Sequence, residues 1–390
     1  MASTKDRVSS KPELSRRSFL GGAAVGSTAA WLGCTHPAEV QKSVPKATQK
    51  SVLPPNLFGP PTNIAQLSRN ENPYGPSPRV YQAVNEATQS GAYYADPAYL
   101  QAMIAERHAI EPQQVTVSHG SGEALCAVAL AWGQKGAIVG PDLFWDTTAL
   151  YAVRQGVKLR RVPMTANLEV DLKALEATID DSVALVHLCN PNNPTGQLIE
   201  RKALRDFCRR VSAKTTILID EAYNELTDDP DANTVMDLVR EGANIIVART
   251  FSKIYGMAGM RIGYLMSSQE NVEIIRQHQM SWMSAPSIAA AVAAYNDQAF
   301  LTFSKDKILQ ARAMISDAVK KTGLKHLPSH TNFMYVDVGQ DANIVRQKME
   351  SKGIMVRGVY RDYQHWSRVS MGRIEDVRRY AEALPQVVGA

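Results

Sequence analysis

Short, nearly continuous apolar runs alternate along the chain with segments of helical periodicity, such as residues 200–213. Apolar runs without polar alternation are typical of strands buried on both faces in a mostly parallel sheet. The pattern therefore predicts an α/β fold, with a sheet flanked by helices. Ligands of such sheets bind at the carboxyl ends of the strands, so the residues that end each run are candidate functional residues. The runs lie at 114–118, 136–139, 183–188, 216–220 and 244–248.

The N-terminal region has a different pattern. The run 15–20, SRRSFL, contains a twin-arginine pair, and a weakly apolar stretch rich in small residues follows at 21–33. This stretch is shorter than the roughly 20 residues that span a bilayer, and the order of features is typical of a twin-arginine signal peptide. We therefore expect residues 1–34 to be a signal peptide read by the twin-arginine translocase, and the mature protein to be periplasmic or otherwise exported.

Two further features follow that signal. Cys34 ends a stretch that resembles a lipoprotein cleavage box, although Trp31 stands where an aliphatic residue is usual, so lipid anchoring through Cys34 stays open. Residues 35–65 are rich in Pro, Lys, Gln and Ser without sustained periodicity, and we predict a flexible linker there.

Composition and charge restrict the function classes. The hydrophobic fraction of 45% and the charged fraction of 21% exclude a disordered chain. The net charge is +5, but residues 1–50 contain eight of the 43 basic and three of the 38 acidic residues, which leaves 35 of each in the rest. A nucleic-acid-binding domain needs a basic face, and this neutral body gives no support for one. No histidine or cysteine spacing indicates a metal site.

The segment that follows the run 244–248 carries the strongest candidate chemistry. Lys253 lies just beyond a predicted buried strand, where a lysine shielded from water loses its proton more easily and can form a Schiff base with a carbonyl compound. The hydroxyls of Thr250 and Ser252, together with the guanidinium of Arg261, suit a dianionic phosphate. Lysine chemistry beside a phosphate site indicates pyridoxal 5′-phosphate as the cofactor.

Asp220 supports the same cofactor. It ends an apolar strand, which is a costly place for a carboxylate unless a cation meets it, and a protonated pyridine nitrogen would be that cation. Tyr223 and the amide of Asn193, in the turn-rich segment 190–196, could donate hydrogen bonds to the phenolic oxygen of the cofactor. We predict that Lys253, Asp220 and Tyr223 are the catalytic residues.

Two further loops complete the predicted cofactor site. The loop 119–123, HGSGE, opens a helix after a strand, so its amides can bind a phosphate. We expect Ser121, Gly122 and Glu123 there. The segment 141–145, PDLFW, offers an aromatic face for the pyridine ring. Phe144 is the predicted stacking residue, with Trp145 as the alternative.

Seven motifs in order resemble the class I/II pyridoxal-phosphate-dependent aminotransferases of fold type I, from about residue 65 to the C-terminus. Within that family, the chain is most similar to the histidinol-phosphate aminotransferase branch. The resemblance implies a large cofactor domain with a mostly parallel sheet and a smaller α+β domain. The motifs are NENPYGPSP at 70–78, GSGE at 120–123, NPNNPTG at 190–196, DEAY at 220–223, SK at 252–253, RIGY at 261–264 and RVSMG at 368–372.

The resemblance also implies roles for individual residues. Lys253 would form the Schiff base and move a proton between the α-carbon of the amino acid and the cofactor. Tyr94 would reach the phosphate of the neighbouring subunit, which implies a homodimer with shared active sites. Arg368 would bind the substrate α-carboxylate, while Arg357 lies near the place where the branch contacts a distal phosphate. The remaining expected substrate contacts are Asn72, Tyr74, Asn193 and Asn332.

We predict five segments from these features. Residues 66–89 would be an N-terminal segment that packs with the small domain, residues 90–285 the large cofactor-binding domain, and residues 286–390 the small C-terminal domain. They would follow the signal peptide 1–34 and the linker 35–65. The active site would lie between the two domains.

The predicted function is an aminotransferase (transaminase) that moves an amino group between an L-amino acid and a 2-oxo acid. A decarboxylase or lyase that uses the same cofactor is the main alternative, because the motifs do not fix which bond to the α-carbon breaks. A non-catalytic cofactor-binding domain is disfavoured by the presence of Lys253, Asp220 and Arg368 together. Export argues against histidine biosynthesis, whose intermediates are cytoplasmic, so the amino donor stays open.

Overall fold

The computed structural model describes residues 58–389; the predicted signal peptide, Cys34 and most of the predicted linker lie outside the described residues. The helices are α1 Pro78–Gln89, α2 Ala98–His108, α3 Gly120–Gly133, α4 Thr147–Val153, α5 Leu172–Ala177, α6 Arg201–Ser212, α7 Pro230–Asn233, α8 Met236–Arg240, α9 Gln269–Arg276, α10 Ala285–Tyr295, α11 Gln298–Lys321, α12 Ala342–Glu350 and α13 Ile374–Val388. The strands are β1 Ala65–Gln66, β2 Val115–Ser118, β3 Ala137–Pro141, β4 Leu159–Val162, β5 Val183–Cys189, β6 Thr216–Asp220, β7 Ile245–Thr250, β8 Gly263–Met266, β9 Lys325–His326, β10 Phe333–Asp337, β11 Ile354–Met355 and β12 Trp366–Ser370.

A seven-stranded sheet with the order β2-β8-β7-β6-β5-β3-β4 forms the centre of the fold. Strand β8 runs antiparallel to both of its neighbours, and all the other neighbouring pairs are parallel. The prediction of a mostly parallel sheet in an α/β fold is therefore confirmed. The apolar runs did not indicate β4, whose two central residues are Arg160 and Arg161.

Alternate residues of the sheet strands pack into two separate cores. Leu218 and Ala248 lie in a core with the alanine-rich helix α3, whereas Ile219 and Val247 lie in the core on the other side. This period of two is the geometry of a strand, and burial on both sides explains the continuous apolar runs. The same period of two decides which of two successive residues at a strand end faces the α3 side of the sheet.

A second, antiparallel sheet with the order β12-β10-β9 lies in the C-terminal part of the chain. Strand β1 pairs in parallel with β11, where Ala65 lies opposite Ile354. The last residues of the predicted linker are therefore part of the fold, and Ala65 is fully buried. The domain boundary predicted after residue 285 falls at the first residue of α10 and stays a prediction. Within residues 58–389, no helix is long and apolar enough to cross a membrane.

Candidate active site

The carboxyl ends of the parallel strands carry the predicted chemistry at one edge of the sheet. Asp220 ends β6 and Thr250 ends β7, while the turn 190–196 follows β5. A cavity of about 420 Å³ opens at this edge. Its lining consists of Arg69, Asn70, Glu71, Ser121, Gly122, Trp145, Asn193, Asp220, Ala222, Tyr223, Thr250, Ser252, Lys253, Ala258, Gly259, Arg261 and Arg368. Ten of the residues predicted from the sequence are thus brought together.

The pKa values of Lys253 and Asp220 are shifted in opposite directions. Burial, followed by the nearby charge of Arg368, lowers the pKa of Lys253 to about 8. Burial raises the pKa of Asp220 to about 6, although the backbone amide of Ala222 donates to its carboxylate at 3.1 Å. At neutral pH the aspartate is thus still ionised, and the lysine releases its proton far more readily than an exposed lysine does. The pair can supply a nucleophilic amine and a fixed negative charge in one cavity.

A hydrogen-bonded chain connects Arg368 with Tyr223. Arg368 Nη1 donates to Asn193 Oδ1 at 2.7 Å, and the Asn193 amide lies 3.4 Å from the Tyr223 hydroxyl. Asn70 Nδ2 donates to the same hydroxyl at 3.3 Å. Burial raises the pKa of Tyr223, although the hydrogen bond from Asn70 lowers it, so the hydroxyl keeps its proton and can donate it into the cavity.

The guanidinium of Arg368 is a buried cation whose hydrogen-bond acceptors are neutral. Besides Asn193, it donates from Nη2 to the carbonyl oxygen of Ser68 at 2.8 Å, and its Nε has no acceptor among residues 58–389. Only 6% of Arg368 is exposed. A buried charge is costly unless an opposite charge meets it, so this position favours a bound anion.

The part of the cavity around the start of α3 and Arg261 suits a second anion. Helix α3 begins at Gly120, whose φ of 73° is in the left-handed region, and a side chain there would collide with the Arg261 guanidinium. Gly263 lets β8 approach the amide of Ser121 closely. The helix N-terminus, Arg261 and the hydroxyls of Thr250 and Ser252, which lie 3.0 Å apart, therefore converge on one point.

The structure corrects the predicted stacking residue. Phe144 is buried and packs edge-to-face on His187, with ring centroids 5.0 Å apart, so it fills the core beneath β3. Trp145, the alternative, lines the cavity near Gly122. Successive residues of this turn point in different directions, and the sequence did not fix which one faces the cavity.

Asn72 and Tyr74, predicted as substrate contacts, lie outside the cavity. Asn72 is buried and donates to the carbonyl oxygen of Ile254 at 2.7 Å and to Ser304 Oγ at 3.0 Å. The Tyr74 hydroxyl accepts from the amide of Ile374 at 3.0 Å. Both side chains therefore fasten the segment 70–78 to the rest of the fold.

Three more predicted residues point elsewhere. The Glu123 carboxylate accepts a hydrogen bond from the His119 amide at 2.7 Å, and Glu123 does not line the cavity. Asn332 donates to the carbonyl oxygen of Asn70 at 2.8 Å and so holds that turn. Arg357 is exposed outside the cavity, although its guanidinium and that of Arg368 lie 5.5 and 5.4 Å from the ring centre of Tyr360.

Tyr94 lies away from the cavity of its own chain. It is 82% exposed, and its ring packs against that of Trp282 with centroids 5.2 Å apart. Its predicted role in a neighbouring subunit is therefore not tested by this single chain.

Sequence reasoning missed three polar residues of the cavity. Asn70, with φ at 58°, turns the chain so that Arg69 and Glu71 flank it, and all three line the cavity. The motif at 70–78 contains Asn70 and Glu71, but nothing local shows that Asn70 meets Tyr223, which is 153 residues away.

Comparisons with known proteins show the family of this chain. Residues 62–384 match the family described as aminotransferase class I and II. The chain belongs to this family. It is 34% identical over 361 residues to histidinol-phosphate aminotransferase 2 of Pseudomonas aeruginosa, covering 90% of this chain and 96% of that protein. It is 31% identical to the histidinol-phosphate aminotransferase of Brevibacillus brevis, covering 84% and 91%.

A solved structure adds the cofactor. The histidinol-phosphate aminotransferase of Sinorhizobium meliloti, in complex with pyridoxal 5′-phosphate, superimposes with a TM-score of 0.78 at 29% identity and covers 88% of this chain and 99% of that one. This class I and II aminotransferase therefore has the fold type I architecture and uses pyridoxal phosphate to move an amino group between an amino acid and a 2-oxo acid.

The cavity of this aminotransferase fits that cofactor. The cationic end with Arg261 and the start of α3 suits the phosphate, and Asp220 suits the protonated ring nitrogen. Asn193 and Tyr223 would suit the phenolic oxygen, and Lys253 would supply the amine for the aldehyde. Arg368, at the other end of the hydrogen-bonded chain, would remain for the substrate.

Proposed function

We propose that in this aminotransferase Arg368 binds the α-carboxylate of the amino acid and Lys253 carries the α-proton. The observation that supports this assignment is the buried Arg368 guanidinium, whose acceptors in the described residues are neutral and which lies in the same cavity as Lys253. A carboxylate would pair with it in the bidentate geometry that arginine favours. An enzyme that retains the carboxylate transaminates, whereas a decarboxylase must release it.

Each side chain then has one task. When bound, pyridoxal phosphate supplies a ring that accepts the electron pair released at the α-carbon. Lys253, with its pKa lowered to about 8, would take the α-proton as a general base and return it to the carbon of the cofactor that carries the aldehyde. Asp220 would keep its negative charge for the protonated ring nitrogen, and the neutral Tyr223 hydroxyl would donate to the phenolic oxygen of the cofactor. Trp145 lines the cavity and would shield the ring from water.

Arg368→Met tests this proposal. We expect kcat/KM for α-amino acids to fall by about 10²–10³-fold, because a hydrogen-bonded charge pair is lost from a buried site. The turnover of the matching amine without a carboxylate should change little. Arg346→Met, which breaks an exposed ion pair with Glu350, is the control. Stopped-flow measurement of the amino-acid half-reaction, with an assay for carbon dioxide, decides the result; stoichiometric carbon dioxide would mean a decarboxylase.

We further propose that the active site is shared between two subunits. Homodimers are typical of the family. The exposed pair of Tyr94 and Trp282 offers an aromatic surface that a second copy could cover. In a shared site, Tyr94→Phe and Lys253→Ala proteins, both of low activity alone, would regain about a quarter of the wild-type activity per site when mixed, because one site of each hybrid dimer is intact. No gain on mixing would contradict a shared site.

We also propose that the protein is exported in the folded state, on the support of the Arg16-Arg17 pair and the apolar stretch after it. Since histidine biosynthesis is cytoplasmic, an exported enzyme would use an amino donor other than histidinol phosphate. Replacing Arg16 and Arg17 by lysine should leave the full-length precursor in the cytoplasm. Cell fractionation followed by immunoblotting measures this, and unchanged export of the variant would contradict a twin-arginine route.

A further inference from the structure

Glu221 and Arg249 form a buried ion pair that none of the roles above uses. Arg249 Nη2 and Nε lie 2.7 and 3.0 Å from Glu221 Oε2. Glu221 is fully buried, and Arg249 is only 5% exposed. Each is adjacent in sequence to a residue of the cavity: Glu221 follows Asp220, and Arg249 precedes Thr250.

The pair lies on the opposite side of the sheet from the cavity. Residues 218 and 248 belong to the core beside α3, and residues 219 and 247 belong to the other core. By the same alternation, Asp220 and Thr250 face the α3 side, whereas Glu221 and Arg249 face away from it. The ion pair therefore does not reach the cavity with its side chains, and it can act on the reaction through the backbone and through the charge of Glu221, which, after burial, contributes to the raised pKa of Asp220.

Backbone hydrogen bonds between β6 and β7 end at Asp220 and Glu221, before the chain of β7 reaches Lys253. The last paired residues of the two strands are Asp220 and Ala248, followed by one bond from the Glu221 amide to the Ala248 carbonyl at 2.9 Å. Thr250 pairs with Gly263 of β8 instead. Beyond Ala248, the Glu221–Arg249 pair is the side-chain link between the strand that carries Asp220 and the one that leads to Lys253.

The Glu221 carboxylate is held firmly from several directions. Thr234 Oγ1 donates to its Oε2 at 2.8 Å, and the Val235 amide donates to Oε1 at 3.0 Å. On the arginine side, Nη1 contacts Glu225 Oε1 at 3.2 Å. A fully bonded pair of this kind adds little net stability compared with apolar residues of similar size, but it permits only one geometry.

We propose that Glu221 and Arg249 are positioning residues that fix the distance between Asp220 and Lys253. The planar ring of the cofactor would have to place its nitrogen at the Asp220 carboxylate and its aldehyde at the Lys253 amine at the same time. A shift between β6 and β7 would therefore misplace one of these two contacts. A displacement of about 1 Å can lower a rate by about 100-fold. This inference rests on the proposed roles of Asp220 and Lys253.

The test replaces both charges by apolar residues of similar size, Glu221→Leu with Arg249→Met, in the full-length holoenzyme. We expect kcat to fall by about 10–100-fold while KM for the amino acid stays within about threefold, because Arg368 is untouched. Titration of the apoprotein with pyridoxal phosphate, followed by its visible absorbance, should show roughly tenfold weaker binding. The melting temperature should change by only a few degrees.

The matched control removes Arg209 and Glu241, an exposed pair 3.4 Å apart that also joins two elements on that side of the sheet. Arg209→Met with Glu241→Leu should keep wild-type kcat and cofactor affinity. Wild-type kcat and affinity in the buried double variant would overturn the inference, whereas a wild-type protein that reacts with no amino acid would overturn the proposed function instead. If the double variant does not fold, Arg249→Lys decides: a lower kcat at unchanged KM supports the positioning role, and wild-type kcat overturns it.

Discussion

Replacing Lys253 by alanine will reduce transamination by at least about 10⁴-fold, because the change removes both the amine that joins the cofactor and the base that moves the α-proton. No other lysine lines the cavity in the described residues. The variant should still bind pyridoxal phosphate non-covalently through the phosphate end at Arg261. Its visible spectrum should then be that of the free aldehyde, and addition of amino acids should leave product formation near background in a single-turnover assay.

Lys305→Ala is the matched control, because Lys305 is also partly buried and donates to the Thr227 carbonyl, but it lies outside the cavity. It should keep wild-type turnover.

The lowered pKa of Lys253, about 8, adds a pH test on the wild-type apoprotein. Only the neutral amine attacks an aldehyde, so the rate of cofactor uptake should rise as the pH increases through about 8 and level off above it. A Lys253→Ala protein that turns over at the wild-type rate would show that another residue is the base.

Replacing Asp220 by asparagine should lower kcat by about 10²–10⁴-fold while the cofactor stays covalently bound to Lys253. Asparagine keeps the shape of the side chain but removes the negative charge that keeps the ring nitrogen protonated, so the ring accepts electrons less well. The expected loss is that of one well-placed charge in a site shielded from water. Steady-state kinetics measure the fall in kcat, and the visible spectrum of the cofactor-loaded variant shows whether the cofactor is still covalently bound.

The pH dependence of cofactor affinity distinguishes the effect of the Asp220 charge from the effect of the side-chain shape. Burial raises the pKa of this carboxyl to about 6, so in the free protein it is ionised above that pH and neutral below it. Cofactor affinity of the wild-type protein should therefore fall as the pH drops through about 6, and the asparagine variant should lack this step. Asp237→Asn, which alters a carboxylate paired with Arg205 outside the cavity, should behave as wild type. An asparagine variant at Asp220 with wild-type kcat would contradict the assigned role.

Part of the site could be predicted because it depends on local sequence. Asp220, Thr250 and Lys253 lie at or just after apolar runs, and the carboxyl ends of neighbouring parallel strands must meet at one edge of the sheet. The same reasoning brought Ser121 and Gly122 to the start of α3.

Other predicted residues do not line the cavity, and the difference arises where a side chain leaves a turn. Phe144 and Trp145 are adjacent, yet one packs on His187 and the other lines the cavity. Asn72 and Tyr74 belong to a matched motif, but they bond to Ser304 and Ile374. Motifs show that a residue is needed but not whether it contacts the ligand or supports the residue that does.

The sequence by itself determined the α/β elements, the cofactor and the residues at the strand ends, because strand periodicity and strand direction are local properties. Only the tertiary structure decided which turn residues face the cavity and which distant segments complete it. Asn70 meets Tyr223 across 153 positions, and Ser370 donates to Asn70 across 300. Contacts at such separations depend on how the central sheet and the C-terminal sheet pack together, and this packing is a property of the whole chain rather than of any segment.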